Sequence, residues 1–198
     1  MAKTRLDRMG KAAEKKALPL DRQAWIRTAL AALAEHGVDA LRIEVLARRC
    51  GVTKGSFYWH FKDRRDLLDA LLDTWKRGRL ADILKQTRAE PGQEMKAIYH
   101  TIEVYAAAKN RKGLQIETAV RHLARHDAAA AATVEEVDTT RLGCSKQLFV
   151  ACGLDDQEAT ARSLLLYAYV FGQTMMRYER YAGDVDAVKA WIAKHITQ

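Results

Sequence analysis

Apolar residues along this 198-residue chain recur every three or four positions, and no stretch shows the strict alternation of a strand. After Pro19, the positions Trp25, Ile26, Ala29, Leu30 and Leu33 make a first helical stripe, with Asp21 placed to cap it and His36-Gly37 to end it. Ile43, Leu46, Ala47 and Cys50 form a second, short stripe that Gly51 stops. Thr53 opens a third helix carrying a run of rings as far as Phe61. Asp63 caps a fourth, whose inner face is Leu67, Leu68, Leu71, Leu72 and Trp75 and which the pattern extends to Pro91-Gly92. Further stripes follow through Met95, Ile98, Ile102 and Tyr105, then through residues 114–126, then over about 128–152. After Gly153 a helix starting at Asp155-Asp156 reaches about Tyr181, and Val185, Val188, Trp191, Ile192 and Ile196 mark the last. The pattern predicts an all-α protein of about nine helices. It divides into residues 1–18, a basic flexible N-terminal arm; 19–65, a small three-helix domain; and 66–198, a larger helical domain.

Composition sharpens this picture in one respect. The net charge is +8, and residues 1–65 hold 15 Lys and Arg against 7 Asp and Glu. The remainder holds 18 of each, so the whole excess lies in the first third. A basic head on a neutral body points to a polyanion at the head and to another task for the body. Three cysteines make no disulfide framework and suit a reducing compartment. Residues 1–17 lack the apolar stretch of a signal peptide, and Leu164–Phe171 falls far short of the ~20 residues a membrane span needs. The expectation is a cytoplasmic protein with no membrane partner.

The candidate chemistry lies in "IEVLARRCGVTKGSFYWHF", residues 43–61. Ala47 is small enough for the next helix to cross closely, and Gly51 permits the positive φ of a sharp turn. Val52 plugs the corner and Thr53 caps the next helix. Phe57 and, four residues on, Phe61 face inward. Apolar, small, apolar, Gly, apolar and then an inward ring is the order of a helix-turn-helix, whose second helix enters the DNA major groove. At ~100° per residue, Gly55 and Trp59 lie opposite the inward rings. Ser56 and Tyr58 flank them, and Lys54 and His60 lie near the borders. Glycine costs roughly 1 kcal/mol in a helix, which suits a position where backbone must approach a surface. Tyr58 and Lys62 suit phosphates; Trp59 suits a thymine methyl or a sugar; Lys54 and Ser56 suit phosphates or base edges.

"VLARRCGVTKGSFYWHFKDRRDLLDALL" resembles the N-terminal signature of the TetR family of bacterial transcriptional regulators, closely over about residues 22–72. The resemblance implies a dimer with two DNA-binding domains on double-stranded DNA, a palindromic operator. It also implies a larger C-terminal domain that binds a small-molecule effector and releases the DNA. Carried over by position, Thr53, Lys54, Gly55, Ser56, Tyr58, Trp59, His60 and Lys62 match the DNA-contacting stretch. Arg42 is a departure: the family usually has Thr or Ser there, capping the second helix and touching a phosphate. Trp59 is bulkier than the usual occupant.

In the body, the helix over about 155–181 is apolar on most faces, which calls for cover beyond its own core. With the last helix it is expected to form a homodimer interface, as in the family. Trp75, Tyr99, Tyr105, His122, Tyr167 and Met175 are candidates to line an effector pocket whose ligand has no legible identity. His122 and His126 stand at the i, i+4 spacing of metal ligands, but no third ligand is evident, and with Arg121 and Arg125 they more simply complement a helix dipole. Cys144 and Cys152 are too far apart along one helix for a disulfide. No nucleophile–base pair or phosphate loop suggests an enzyme, and no cofactor is implied. The expected function is a repressor released from its operator by an effector. The alternative is an effector-independent DNA binder, or an activator, on the same scaffold.

Overall fold

The structure, a computed structural model, describes residues 20–106, 111–176, 180 and 184–197. Residues 1–18, read above as an arm, lie outside them, as does the side chain of Tyr105. The described residues form nine α-helices and one short 3-10 helix: α1 Arg22–His36, the 3-10 helix Val38–Leu41, α2 Ile43–Cys50, α3 Lys54–Tyr58, α4 Arg64–Gln86, α5 Glu94–Ala106, α6 Arg111–Ala124, α7 Ala128–Ala151, α8 Asp156–Met175 and α9 Val185–Thr197. The protein is all-α, and among the described residues no helix is long and apolar enough to cross a membrane.

Four helices start on the same device. The carboxylates of Asp21, Asp63, Asp127 and Asp155 accept from the backbone N–H three residues ahead, which satisfies a donor the helix itself leaves unpaired. Gly37 and Gly51, at φ 74° and 67°, turn the chain out of α1 and α2. The 3-10 helix after Gly37 is invisible as a stripe because it is only four residues long; it buries Ala40 and Leu41.

Three helix ends differ from the pattern. α3 stops at Tyr58 rather than reaching Phe61, because His60 and Phe61 both donate backbone N–H groups to the carbonyl of Phe57 and tighten the chain toward the Asp63 cap. α4 stops at Gln86, where the hydroxyl and the amide of Thr87 both bond back to the Ile83 carbonyl. α8 ends at Met175, and Met176 is already extended.

Two cores hold the chain. The first joins α1 to α4 through Trp25, Leu33, Leu46, Phe57, Phe61 and Leu71, and continues along α4 to Val120 and Leu123 of α6 and Val137 of α7. The second packs Ile98 of α5, Phe149 of α7, Leu166 and Val170 of α8 and Ile196 of α9. The first core therefore runs past the domain division read at residue 65, which falls in the first turn of the continuous α4. Side chains bind the same junction from outside: Arg65 reaches the α7 cap Asp127 at 2.6 Å, and Lys76 reaches Glu136 at 2.9 Å.

Candidate nucleic-acid interface

The α2–turn–α3 unit is built around one ring cluster. Phe57 is fully buried, edge-on to Trp25 at 5.4 Å and stacked on Phe61 at 5.3 Å. Arg22 lies over the outer face of Phe61, 4.6 Å from its centre. Locking Phe57 and Phe61 inward sends the intervening rings outward. Trp59 is 87% exposed and Tyr58 52% exposed, the edge of Tyr58 resting on Phe57. A tryptophan almost wholly in water buries little apolar surface within its own chain.

Around this edge the other positions read from the sequence can be placed. Thr53 is exposed at the cap position of α3, but its hydroxyl makes no capping bond. Gly55 is exposed and a Cβ there would meet nothing closer than the Thr53 hydroxyl at 3.7 Å, so the chain itself has room for a side chain; the glycine leaves the outer face bare. Ser56 and His60 are half-buried. The Lys62 side chain is exposed and its backbone N–H donates to the Asp66 carboxylate. Arg42 stands at the cap position of α2 without a side-chain capping bond; its Nε donates to the Asp39 carbonyl at 3.2 Å.

Sequence reasoning missed Glu44. It sits on α2 and takes the Lys54 ammonium in an ion pair, both side chains at least half exposed. The hydrogen bond and the charge of Glu44 hold the Lys54 pKa above its ordinary value, and Lys54 holds the Glu44 carboxyl below its own. No spacing rule flags a pair across two helices, so only the crossing of α2 and α3 reveals it.

The effector-pocket candidates do not converge. Trp75 is buried in the first core, and Met175 is exposed. Tyr99 accepts a hydrogen bond from the Thr197 hydroxyl at 2.8 Å. His122 and His126 are exposed, with ring centres 6.1 Å apart. Tyr167 lines a cavity of about 220 Å³ together with Arg121, Asp138 and Arg141. Arg121 is not the simple complement to a helix dipole that its position suggested. Burial opposes its charge, but hydrogen bonds to Asp138 and the charges of Glu117 and Asp138 raise its pKa. A second cavity, of about 320 Å³, lies between the end of α4 and α7, beside Glu94 and Cys144.

An all-helical chain with a ring-locked helix-turn-helix and a basic outer edge defines a class, the helix-turn-helix regulators. Comparison with known proteins places it further. Residues 26–71 match the family described as bacterial regulatory proteins, tetR family. The tetracycline repressor protein class C of Escherichia coli is 50% identical over 54 residues, 27% of this chain and 25% of that protein. The HTH-type transcriptional regulator AcrR of Shigella flexneri is 38% identical over 50 residues, 25% of this chain and 23% of that one. These matches span about a quarter of the relatives' length. The fold extends the likeness. A transcriptional regulator from Rhodococcus sp. Rha1 superposes with a TM-score of 0.66 at 18% identity, over 89% of this chain and 91% of that one. A TetR/AcrR-family regulator from Thermobifida fusca YX-ER1 gives 0.62 at 21% identity, over 89% and 96%. Residues 26–71 thus carry the signature of the TetR family of bacterial regulatory proteins, and over the rest of the chain the likeness is one of fold.

Proposed function

We propose that this protein is a DNA-binding transcriptional repressor that sits as a homodimer on a palindromic operator and is released by a small-molecule effector. One observation carries the reading: the exposed Tyr58–Trp59 edge, flanked by Lys54 and Lys62, is held outward by two rings locked inside. In this reading α3 enters the major groove. Trp59 meets a thymine methyl or a sugar, Tyr58 and Lys62 meet phosphates, and Thr53, Gly55, Ser56 and His60 line the approach. Glu44 orients Lys54, and Arg42 is free on its outer side to meet the backbone. The relatives' sequence likeness, concentrated in the same stretch, supports it.

Residues 66–198 then form the regulatory domain. Leu164, Leu165, Val188 and Trp191 are at least half exposed on α8 and α9, and mutual burial of these faces is the dimer contact we propose. Such a dimer presents two α3 helices to half-sites about 34–36 Å apart. An effector acts only through unequal affinity for the operator-competent and released states. Footprinting on the promoters of its own and neighbouring genes tests the reading: a protected palindrome is expected, and protection of no palindrome refutes it. A palindrome held equally with and without metabolite extracts would instead favour the effector-independent binder.

A further inference from the structure

Among the described residues most ion pairs lie on the surface, but one group does not. Glu117 and Arg121 of α6 meet Asp138 and Arg141 of α7, and the side chains of Arg141 and Glu117 are 1% and 3% exposed. Arg121 donates to Asp138 through both terminal nitrogens, at 2.7 and 2.6 Å, and to Glu117 at 2.8 and 3.0 Å. Arg141 donates to Asp138 at 2.8 Å and to Glu117 at 3.3 Å. Rings of α8 lie against both guanidiniums: Phe171 is 4.4 Å from Arg121 and 5.0 Å from Arg141, and Tyr167 is 5.5 Å from Arg141. Arg121, Asp138 and Arg141 of this cluster line the 220 Å³ cavity, together with Leu164, Tyr167 and Phe171.

The two carboxylates of the cluster are not equivalent. Glu117 is sealed in, so its charge stays with the guanidiniums whatever else binds. Asp138 is 34% exposed and offers Arg121 the two-pronged grip that a small carboxylic acid would offer. It is the more accessible of the two, and an incoming carboxylate would replace it charge for charge on the guanidiniums. The cavity is smaller than the roughly 300–1,000 Å³ of pockets that take drug-sized ligands, so it suits a molecule of about one ring. Its aromatic and aliphatic walls suit an apolar body behind the acid group.

We infer that this cavity binds a small aromatic or similarly apolar carboxylic acid, whose carboxylate takes the place of Asp138 on Arg121 and Arg141. As the effector of the regulator, it rests on the function proposed above. The same α6 that presents Arg121 sends Val120 and Leu123 into the core shared with α1, so a shift at the cavity has a packed route to the DNA-binding head.

The test is calorimetric titration of the full chain, without DNA, with benzoate, benzyl alcohol and benzamidine. Benzoate is expected to bind at least about tenfold more tightly than the neutral and cationic analogues, because a bidentate charge-assisted pair is at stake. Asp138→Asn removes the internal competitor and is expected to tighten benzoate about tenfold or more, a gain that a merely structural role would not produce. Equal or preferred binding of benzamidine, no benzoate heat, or unchanged affinity in D138N overturns the assignment. DNA release is read separately on an operator selected from random duplexes. Benzoate binding without release overturns its role as effector and leaves the site; release by other metabolites without benzoate binding overturns the site and leaves the repressor reading.

Discussion

The two halves of this molecule treat charge and oil in opposite ways. The head puts its rings inside, Trp25, Phe57 and Phe61, and its charges outside, with Trp59 alone among the large rings set almost fully in water. The body buries a guanidinium and a carboxylate, Arg141 and Glu117, and leaves Leu164, Leu165 and Trp191 on its surface. A surface that meets a polyanion needs cations and one or two shape-reading groups. A surface that meets its own copy needs an uncharged apolar face. On the function proposed above, the inversion separates two kinds of partner, and each side of it can be broken.

The largest effect is expected in the buried cluster. Arg141→Met leaves Glu117 without one of its guanidiniums and should destabilise the chain by about 3–5 kcal/mol, read as a lower urea midpoint. A loss below about 1 kcal/mol would mean that the cluster is not sealed. The apolar face comes next. Leu165→Glu with Trp191→Glu should turn a sedimenting dimer into a monomer whose fold, read by circular dichroism, is intact; a dimer that persists would put the contact elsewhere. In the head, Trp59→Ala should leave the melting temperature in place and cost about tenfold or more in operator discrimination, measured by competition with random duplex. If the melting temperature falls and discrimination holds, Trp59 belongs to the fold after all.

The junction between the halves gives a smaller, pH-dependent effect. The Ala130 amide chiefly, and Arg65 with it, hold the Asp127 carboxyl below its ordinary value of 3.8, against an opposing push from burial. A depressed acid stabilises the fold above its unfolded pKa, so this contribution is complete above about pH 4 and fades as pH falls through the lowered value. Asp127→Ala should lose roughly 1 kcal/mol at neutral pH, the worth of a helix cap, and show a shallower acid slope in urea unfolding between about pH 4 and 2. An unchanged slope would remove Asp127 from the linkage. The smallest effect is Lys62→Ala, which should weaken binding to all duplexes alike and reduce the salt slope by about one.

Local pattern alone was enough for much of this. The stripes from Trp25 to Leu33 and from Leu67 to Trp75, the Gly51 turn and the inward places of Phe57 and Phe61 follow from spacing, because helix period and glycine's conformational freedom act over a few residues. The aspartates read at helix starts, Asp21, Asp63 and Asp155, do cap them, each through a contact three residues away. What spacing could not show are pairings across elements. Glu44 meets Lys54 only because α2 crosses α3, ten residues on. Arg121 read as a surface charge at a helix end until α7 and α8 closed over it. Tyr167 and Trp75 are both buried aromatic residues on helices of the body, yet Tyr167 lines a cavity and Trp75 packs in the first core. Sequence determined which face of each helix is oily, since that is a property of one segment. Tertiary structure decided which charges lose their water and which oily faces keep it, since both depend on what another segment brings within a few ångströms.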